Sequence, residues 1–223
     1  MQSRKSKDSK FPGNQQVHSI TGRQSTIDEN TLLAWGATYD RVRKGEFIFR
    51  EGSLCRYFHQ LTEGSVRWIN IDERGRECLQ SLIVPGESFG EIPLFDDGPY
   101  VASAIANEAS IIIRLPKDRF LEMLHSYPNV HAAIDRKMSE HLRFKFIILK
   151  TLAHQSPEVR IRQLFDFMKT EQKYICPRYH YIMLTRQQIA DLSGLRVETV
   201  IRAIRRMHDK GQLLVENRKI YYA

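Results

Sequence analysis

Residues 184–210 read LTRQQIADLSGLRVETVIRAIRRMHDK, and the two helical patterns hinged at Gly194 decide how the rest of the chain is read. Thr185 and Gln188 have the spacing of a capping box, in which hydroxyl and amide satisfy orphan N–H groups at a helix start. Ile189 and Leu192 give this first helix its apolar side, and Ser193-Gly194 supplies a tight turn. In the second helix Val197, Val200, Ile201 and Ile204 fall at i, i+3, i+4 and i+7, which makes one apolar face. The remaining face carries Glu198, Thr199, Arg202, Arg205 and Arg206, and Gly211 follows as a cap. An ordinary surface helix pair has the same periodicity, so charge and context must separate the two readings. Arg196, Arg202, Arg205, Arg206 and Lys210 outweigh Glu198 and Asp209, and Glu198, Arg202 and Arg205 line a single edge. The tail that follows reads as a hairpin, with Leu213–Val215 and Ile220–Tyr222 as strands and Glu216–Lys219 as a polar turn. Short helix, tight turn, basic second helix and hairpin together spell a winged helix-turn-helix, a DNA reader whose wing tip presents Arg218 and Lys219 to phosphate.

Upstream, Ser156-Pro157 starts another helix with Pro at its first position and Ile161, Leu164, Phe165 and Met168 as its apolar face. Tyr174–Cys176 and Tyr179–Met183 read as a short hairpin leading into residue 184. Before the hinge at Thr151–Ser156, a long helix runs from about Asn129 to Leu152. Met138, Leu142, Lys145, Leu149 and Leu152 recur along it at spacings of 4, 3, 4 and 3, a heptad seam with one polar interruption that predicts a homodimer. Ile134, Phe144, Ile147 and Ile148 provide a second face for packing within the chain, and KDRFLEMLHSY at 117–127 is a shorter helix.

From Tyr39 to Leu115 the texture is different. Glycines fall at 45, 52, 64, 75, 86, 90 and 98, and none occurs from Pro99 to Ser193. FIFREG, SVRWINIDERG, CLQSLIVPG and SAIANEASIIIRL read as strands joined by tight turns, the pattern of a β-roll or jelly roll. A short helix follows Thr26, with Leu32, Leu33 and Trp35 as packing residues. Residues 1–26, rich in Ser, Lys, Gln and Gly, read as a disordered tail. The predicted division is therefore a tail over 1–26, a roll over 27–128, a dimerisation helix and hinge over 129–153, and a winged helix-turn-helix over 154–223.

The totals agree with that division. With 34 Lys and Arg against 26 Asp and Glu the net charge is +8, which favours a polyanionic partner. No run approaches the roughly 18 apolar residues of a membrane span, and the N-terminus lacks a signal peptide's apolar core, so a cytoplasmic protein with no membrane partner is expected. Cys55, Cys78 and Cys176 are scattered and odd in number, which argues against a disulfide framework, a zinc site or an iron–sulfur cluster. The predicted roll holds one histidine, His59, where a metal-dependent enzyme on such a roll needs several. Asp96-Asp97-Gly98 reads as a solvated turn rather than a carboxylate pair, and no G-x-G-x-x-G or Ser-His-Asp context is present. Neither an enzyme nor a cofactor is expected.

The order of elements resembles the family of the cyclic-AMP receptor protein and the fumarate-nitrate reduction regulator, over about residues 28–223. The stretches that carry the resemblance are ESFGEIPLFDDG at Glu87–Gly98 and TRQQIADLSGLRVETVIRAI at Thr185–Ile204. It implies an α+β fold: a cyclic-nucleotide-binding-like β-roll, a long dimerisation helix and a C-terminal winged helix-turn-helix. It also implies a homodimeric transcription regulator on palindromic double-stranded DNA, with RNA polymerase as a partner. Glu198 and Arg202 match the family's base readers, and their chemistry suits cytosine N4 and guanine N7 and O6. Arg196, Thr199 and Arg205 are further contacts, while Thr185, Arg186 and Arg218 suit phosphate anchoring. Val197 and Ile201 depart from the family's residues at two reading positions. Gly90-Glu91 match the pair that family nucleotide binders set against ribose. Val101 and Ala102 stand where those binders hold the cyclic phosphate with Arg-Ser, and Lys145-Phe146 stand where they meet the adenine. Cyclic AMP is therefore not the expected ligand, and Glu91, Tyr100 and Lys145 are the candidates for the pocket of an unknown small-molecule effector. The alternative is a cyclic-nucleotide or heme-responsive sensor on the same fold, with Cys78 or His141 as axial ligand.

Overall fold

The computed structural model describes residues 25–222 apart from 74, 76 and 154, so most of the tail expected over 1–26 lies outside the described residues. Helix α1 (Glu29–Ala34) is capped by Asp28, whose carboxylate accepts the Thr31 N–H, and it buries Leu32. Strands β1 (Thr38–Val42), β2 (Phe47–Phe49), β3 (Tyr57–Glu63), β4 (Val66–Ile71), β5 (Glu77–Ile83) and β6 (Ser88–Phe89) follow. A single-turn helix, α2 (Ile92–Phe95), then leads to β7 (Ser103–Ala106) and β8 (Ser110–Pro116). These strands form two antiparallel four-stranded sheets in the orders β1-β8-β3-β6 and β2-β7-β4-β5, the roll anticipated from glycine spacing.

Two strand readings need correction. SAIANEASIIIRL is not one strand: it breaks at residues 107–109 and contributes β7 to one sheet and β8 to the other. Strand β3 carries no signal that the spacing argument used, because His59, Gln60 and Thr62 interrupt its apolar pattern. Its polar residues are accommodated individually. The Gln60 amide, fully buried, donates to the Ile27 carbonyl at 2.8 Å and accepts from the Ile27 N–H at 2.9 Å, which satisfies both ends of a group that is costly to bury unpaired.

Helices α3 (Lys117–Ser126) and α4 (Pro128–Leu152) close the roll, with Phe120 stacked on Phe58 at 4.5 Å. Helix α5 (Pro157–Thr170), β9 (Tyr181–Ile182), α6 (Arg186–Ser193), α7 (Val197–Asp209), β10 (Leu214–Glu216) and β11 (Lys219–Tyr221) complete the chain. The short hairpin expected over Tyr174–Met183 is present: the Cys176 N–H donates to the Tyr181 carbonyl at 2.9 Å and the Met183 N–H to the Tyr174 carbonyl at 2.8 Å, around a bridge from Ile175 to Ile182, and β9 pairs on its other edge with β11 in a sheet ordered β10-β11-β9. The C-terminal core of Ile161, Leu164, Phe165, Ile189, Ile204 and Ile220 is continuous, through Phe144 of α4, with Ile69, Leu79, Leu82 and Ile105 of the roll. The winged unit is thus docked on the β4–β5 side of the roll.

Candidate nucleic-acid interface

The helix-turn-helix is built from local rules. Thr185 Oγ1 accepts the Gln188 N–H at 3.1 Å while Gln188 Oε1 accepts the Thr185 N–H at 2.8 Å, a complete capping box at the start of α6. Gly194 ends α6 in the left-handed conformation, φ 62°. A Cβ there would lie 2.5 Å from Leu152 Cδ2, so the turn is seated on the end of α4, and its positive φ is one that glycine adopts without strain.

Helix α7 buries Val200, Ala203, Ile204 and Met207. This corrects the expected apolar face. Val197 is only partly buried and Ile201, 50 % exposed, lies on the outer side. The outer edge consists of Glu198, Ile201, Arg202 and Arg205, all exposed, with Arg196 at the helix start and Thr199 half-buried. Arg206 and Lys210 are taken out of that edge by Glu158 of α5, which accepts from them at 2.7 and 2.9 Å. Asn217 and Arg218, both at positive φ, form the two-residue turn between β10 and β11, so Arg218 is exposed at the wing tip. Arg186, in the first turn of α6, is half-buried beside exposed Thr185.

The three effector candidates are not brought together in a cavity. Tyr100 lies on Phe49 with ring centroids 3.7 Å apart and nearly parallel, and Phe49 also packs on Phe89 and His59. A Cβ at Gly90 would meet Phe49 at 2.6 Å and Tyr100 at 3.0 Å, so these rings occupy the space directly over Gly90-Glu91. Glu91 is buried, which raises its carboxyl above the usual range, and burial likewise raises the Tyr100 phenol. Lys145 turns away to Gln80, donating to its side-chain and backbone oxygens at 2.6 and 3.1 Å. Burial lowers its ammonium to about 8. Val101 is exposed and Ala102 buried, and neither offers charge to a phosphate. Cys78 is exposed on β5, and the His141 ring faces Trp68 at 6.1 Å. Among the described residues no cluster of His, Cys, Asp and Glu is placed to hold a metal ion.

Along α4 the expected seam keeps Leu142 and Leu149 and changes at Lys145, where Phe146 is the exposed apolar residue. Leu142, Phe146 and Leu149 are 59 %, 64 % and 62 % exposed and share one stripe. Lys145 leaves the stripe for Gln80, Met138 packs partly into the roll's core, and Leu152 meets Gly194. Phe146 is the member that the 4, 3, 4, 3 spacing passed over. Its exposure beside Leu142 and Leu149 is the distinguishing feature.

A β-roll carrying a long helix with a bare apolar stripe, followed by a winged helix-turn-helix, defines the architecture: a cyclic-nucleotide-binding-like roll joined to a winged unit. Residues 39–127 match the cyclic nucleotide-binding domain family. The chain is 25 % identical over 202 residues to regulatory protein HlyX of Actinobacillus pleuropneumoniae, covering 87 % of this chain and 83 % of that one. It is 27 % identical over 168 residues to the cyclic AMP receptor protein of Thermus thermophilus, covering 75 % and 76 %. Among solved structures, FixK2 from Bradyrhizobium japonicum shares the fold with a TM-score of 0.69 at 23 % identity, over 83 % of this chain and 92 % of that one. The domain match and these relatives support the family of the cyclic-AMP receptor protein and the fumarate-nitrate reduction regulators. The chain's relatives are transcription regulators and not enzymes. Among the described residues no helix is long and apolar enough to cross a membrane.

Proposed function

We propose that the chain is a sequence-specific, DNA-binding transcription regulator that works as a homodimer on a palindromic site, and that its roll does not bind cyclic AMP. The observation that carries this reading is the outer edge of α7. Glu198, Arg202 and Arg205 are exposed along one line of a helix whose other side is sealed in the core, and none of them has a hydrogen-bond or ion-pair partner among the described residues. A carboxylate and a guanidinium one turn apart suit a C·G pair and its neighbour in the major groove, where Arg binds guanine N7 and O6 with two hydrogen bonds. Thr185, Arg186 and Arg218 lie at the start of α6 and at the wing tip, the places from which backbone phosphates are held.

The stripe of Leu142, Phe146 and Leu149 supports dimerisation through α4, since three adjacent large apolar side chains at i, i+4 and i+7 match a coiled-coil-like contact. A two-fold dimer of this kind sets the two α7 helices for half-sites about one helical turn apart, roughly 34 Å. The reading without cyclic AMP rests on Val101 and Ala102 at the phosphate positions and on the Phe49–Tyr100 stack over Gly90. A buried phosphate without positive charge or donors is strongly unfavourable. Titration of the purified protein with cyclic AMP, followed by calorimetry, is expected to give no heat of binding. Saturable heat at micromolar nucleotide would contradict this part of the proposal.

A further inference from the structure

The outer face of the wing sheet carries aromatic and cationic side chains that the core does not use. Alternation along β9 and β11 sends Ile182 and Ile220 into the core and leaves Tyr181, Tyr221 and Lys219 on the opposite side. Tyr181 and Tyr221 are partners in the register, and their rings meet edge to face with centroids 6.2 Å apart. The Lys219 ammonium stands 4.2 Å from the centre of the Tyr181 ring and 5.8 Å from that of Tyr179. The Arg178 guanidinium lies 5.1 Å from the centre of the Tyr179 ring. Arg178, Tyr179 and Lys219 are all exposed, so two cations are held against two rings at the surface.

A cation within about 6 Å of an aromatic face is attracted by the ring's quadrupole, which restricts where a long side chain places its charge. Neither Arg178 nor Lys219 forms an ion pair with a carboxylate among the described residues, so their N–H groups are open to an anion. Glu216, opposite Lys219 in the register, is the only carboxylate on β9, β10 and β11, and Arg178, Arg218 and Lys219 outweigh it. The partner that fits is a polyanion. Because cations already lie against the ring faces, no flat platform is left for an unpaired base to stack on, which favours the phosphates of a duplex over a single strand. Chain position agrees. Lys219 follows Arg218 at the wing tip, and β9 runs through Met183 and Leu184 into Thr185, so the face is continuous with both phosphate anchors of the proposed DNA interface.

We infer that Arg178, Lys219 and the tyrosines beneath them form a second phosphate-binding surface, which holds the duplex backbone outside the groove that α7 enters. The inference rests on the DNA-binding reading above. Tyr179 and Tyr181 act as positioning residues: they fix the cations before the duplex arrives, so less side-chain freedom is lost on binding. The cations supply the charge, each releasing about one counterion when it neutralises a phosphate. The two roles are separable, because removing a ring leaves the charge and removing a charge leaves the ring.

The test measures affinity for a random-sequence duplex across a range of salt by fluorescence anisotropy, with circular dichroism to confirm folding. The double variant Arg178→Gln, Lys219→Gln is expected to lower the slope of log affinity against log salt by about 2, at roughly 0.9 per lost phosphate contact, and to weaken binding about tenfold at low salt. Tyr179→Leu with Tyr181→Leu keeps the charges and removes the rings, and is expected to weaken binding about threefold with the slope unchanged. Tyr179→Phe with Tyr181→Phe keeps the ring faces and should behave as wild type. Should the leucine variant fail to fold, the glutamine variant, altered only at exposed positions, decides the matter. Unchanged slope and affinity in the folded glutamine variant would overturn this surface alone and leave an acidic protein face as its occupant. No duplex binding by wild type at low salt would overturn the DNA-binding reading, and this surface with it.

Discussion

On the outer edge of α7, each residue has a separate expected signature. Arg202→Ala should weaken specific binding by about 1–3 kcal/mol and relax preference at one base pair per half-site, because a bidentate contact to guanine is lost. Arg218→Ala should weaken all duplexes alike and lower the salt slope by about 1, the mark of a phosphate contact. Competition binding with single-base variants across a range of salt separates the two. Ile201 sets a branched apolar side chain on the same edge, where the matching group is a thymine methyl. Selection with Ile201→Ser is expected to lose a thymine preference that the wild type shows. The sequence concealed this residue for a physical reason. Val197, Val200, Ile201 and Ile204 have helical spacing, but the side that faces the core is completed by Ala203 and Met207, and the small Ala203 carries little signal in a hydrophobic pattern. His59 was equally hard to judge. It is buried against Phe49 and Phe89, and burial together with Arg114 lowers its ring to about 3. The unfolded chain protonates His59 near 6.5 and the folded chain does not. Its contribution is therefore complete above pH 6.5 and lost as pH falls from 6.5 towards 3, at about 1.4 kcal/mol per pH unit. Urea denaturation at pH 7 and pH 5 should show that loss in wild type and a flatter response in His59→Gln.

At the level of elements, the capped and glycine-stopped α6 was fully legible, because Thr185, Gln188 and Gly194 act through backbone rules that hold in any context. The stripe on α4 was legible only to within one residue. Spacing selected Lys145, whose ammonium instead reaches Gln80, and passed over Phe146 beside it. A heptad reading cannot resolve which of two adjacent residues faces a partner when a neighbouring sheet competes for one of them. If the stripe is the dimer contact, Phe146→Glu combined with Leu149→Glu should give a folded monomer in sedimentation at micromolar concentration. Its affinity for a palindrome should fall to that of a single half-site. A dimer that persists in this variant would place the contact elsewhere. Strand β3 escaped notice because its polar side chains are satisfied by distant partners such as Ile27, which pattern alone cannot show.

For the whole molecule, the order of roll, long helix and winged unit was legible from glycine punctuation and helical period, while the relation between the units was not. The contact of Lys173 with Glu87 spans 86 positions and that of Tyr174 with Ser81 spans 93, so nothing local in the sequence announces either one. The same holds for the interior of the roll, where Phe49 reaches Tyr100 across half the domain that matches the cyclic nucleotide-binding family. What the assembled molecule is claimed to do is read a two-fold DNA sequence through α7. The most direct test is selection of bound duplexes from a randomised pool by the purified, effector-free protein, using wild type alongside Arg202→Ala. The expected result is an enriched palindrome with half-sites about one helical turn apart, with G·C pairs that depend on Glu198 and Arg202 and lose preference at one base pair per half-site in Arg202→Ala. Recovery of no sequence by either form, with both folded and dimeric and neither retaining duplex at low salt, would contradict it.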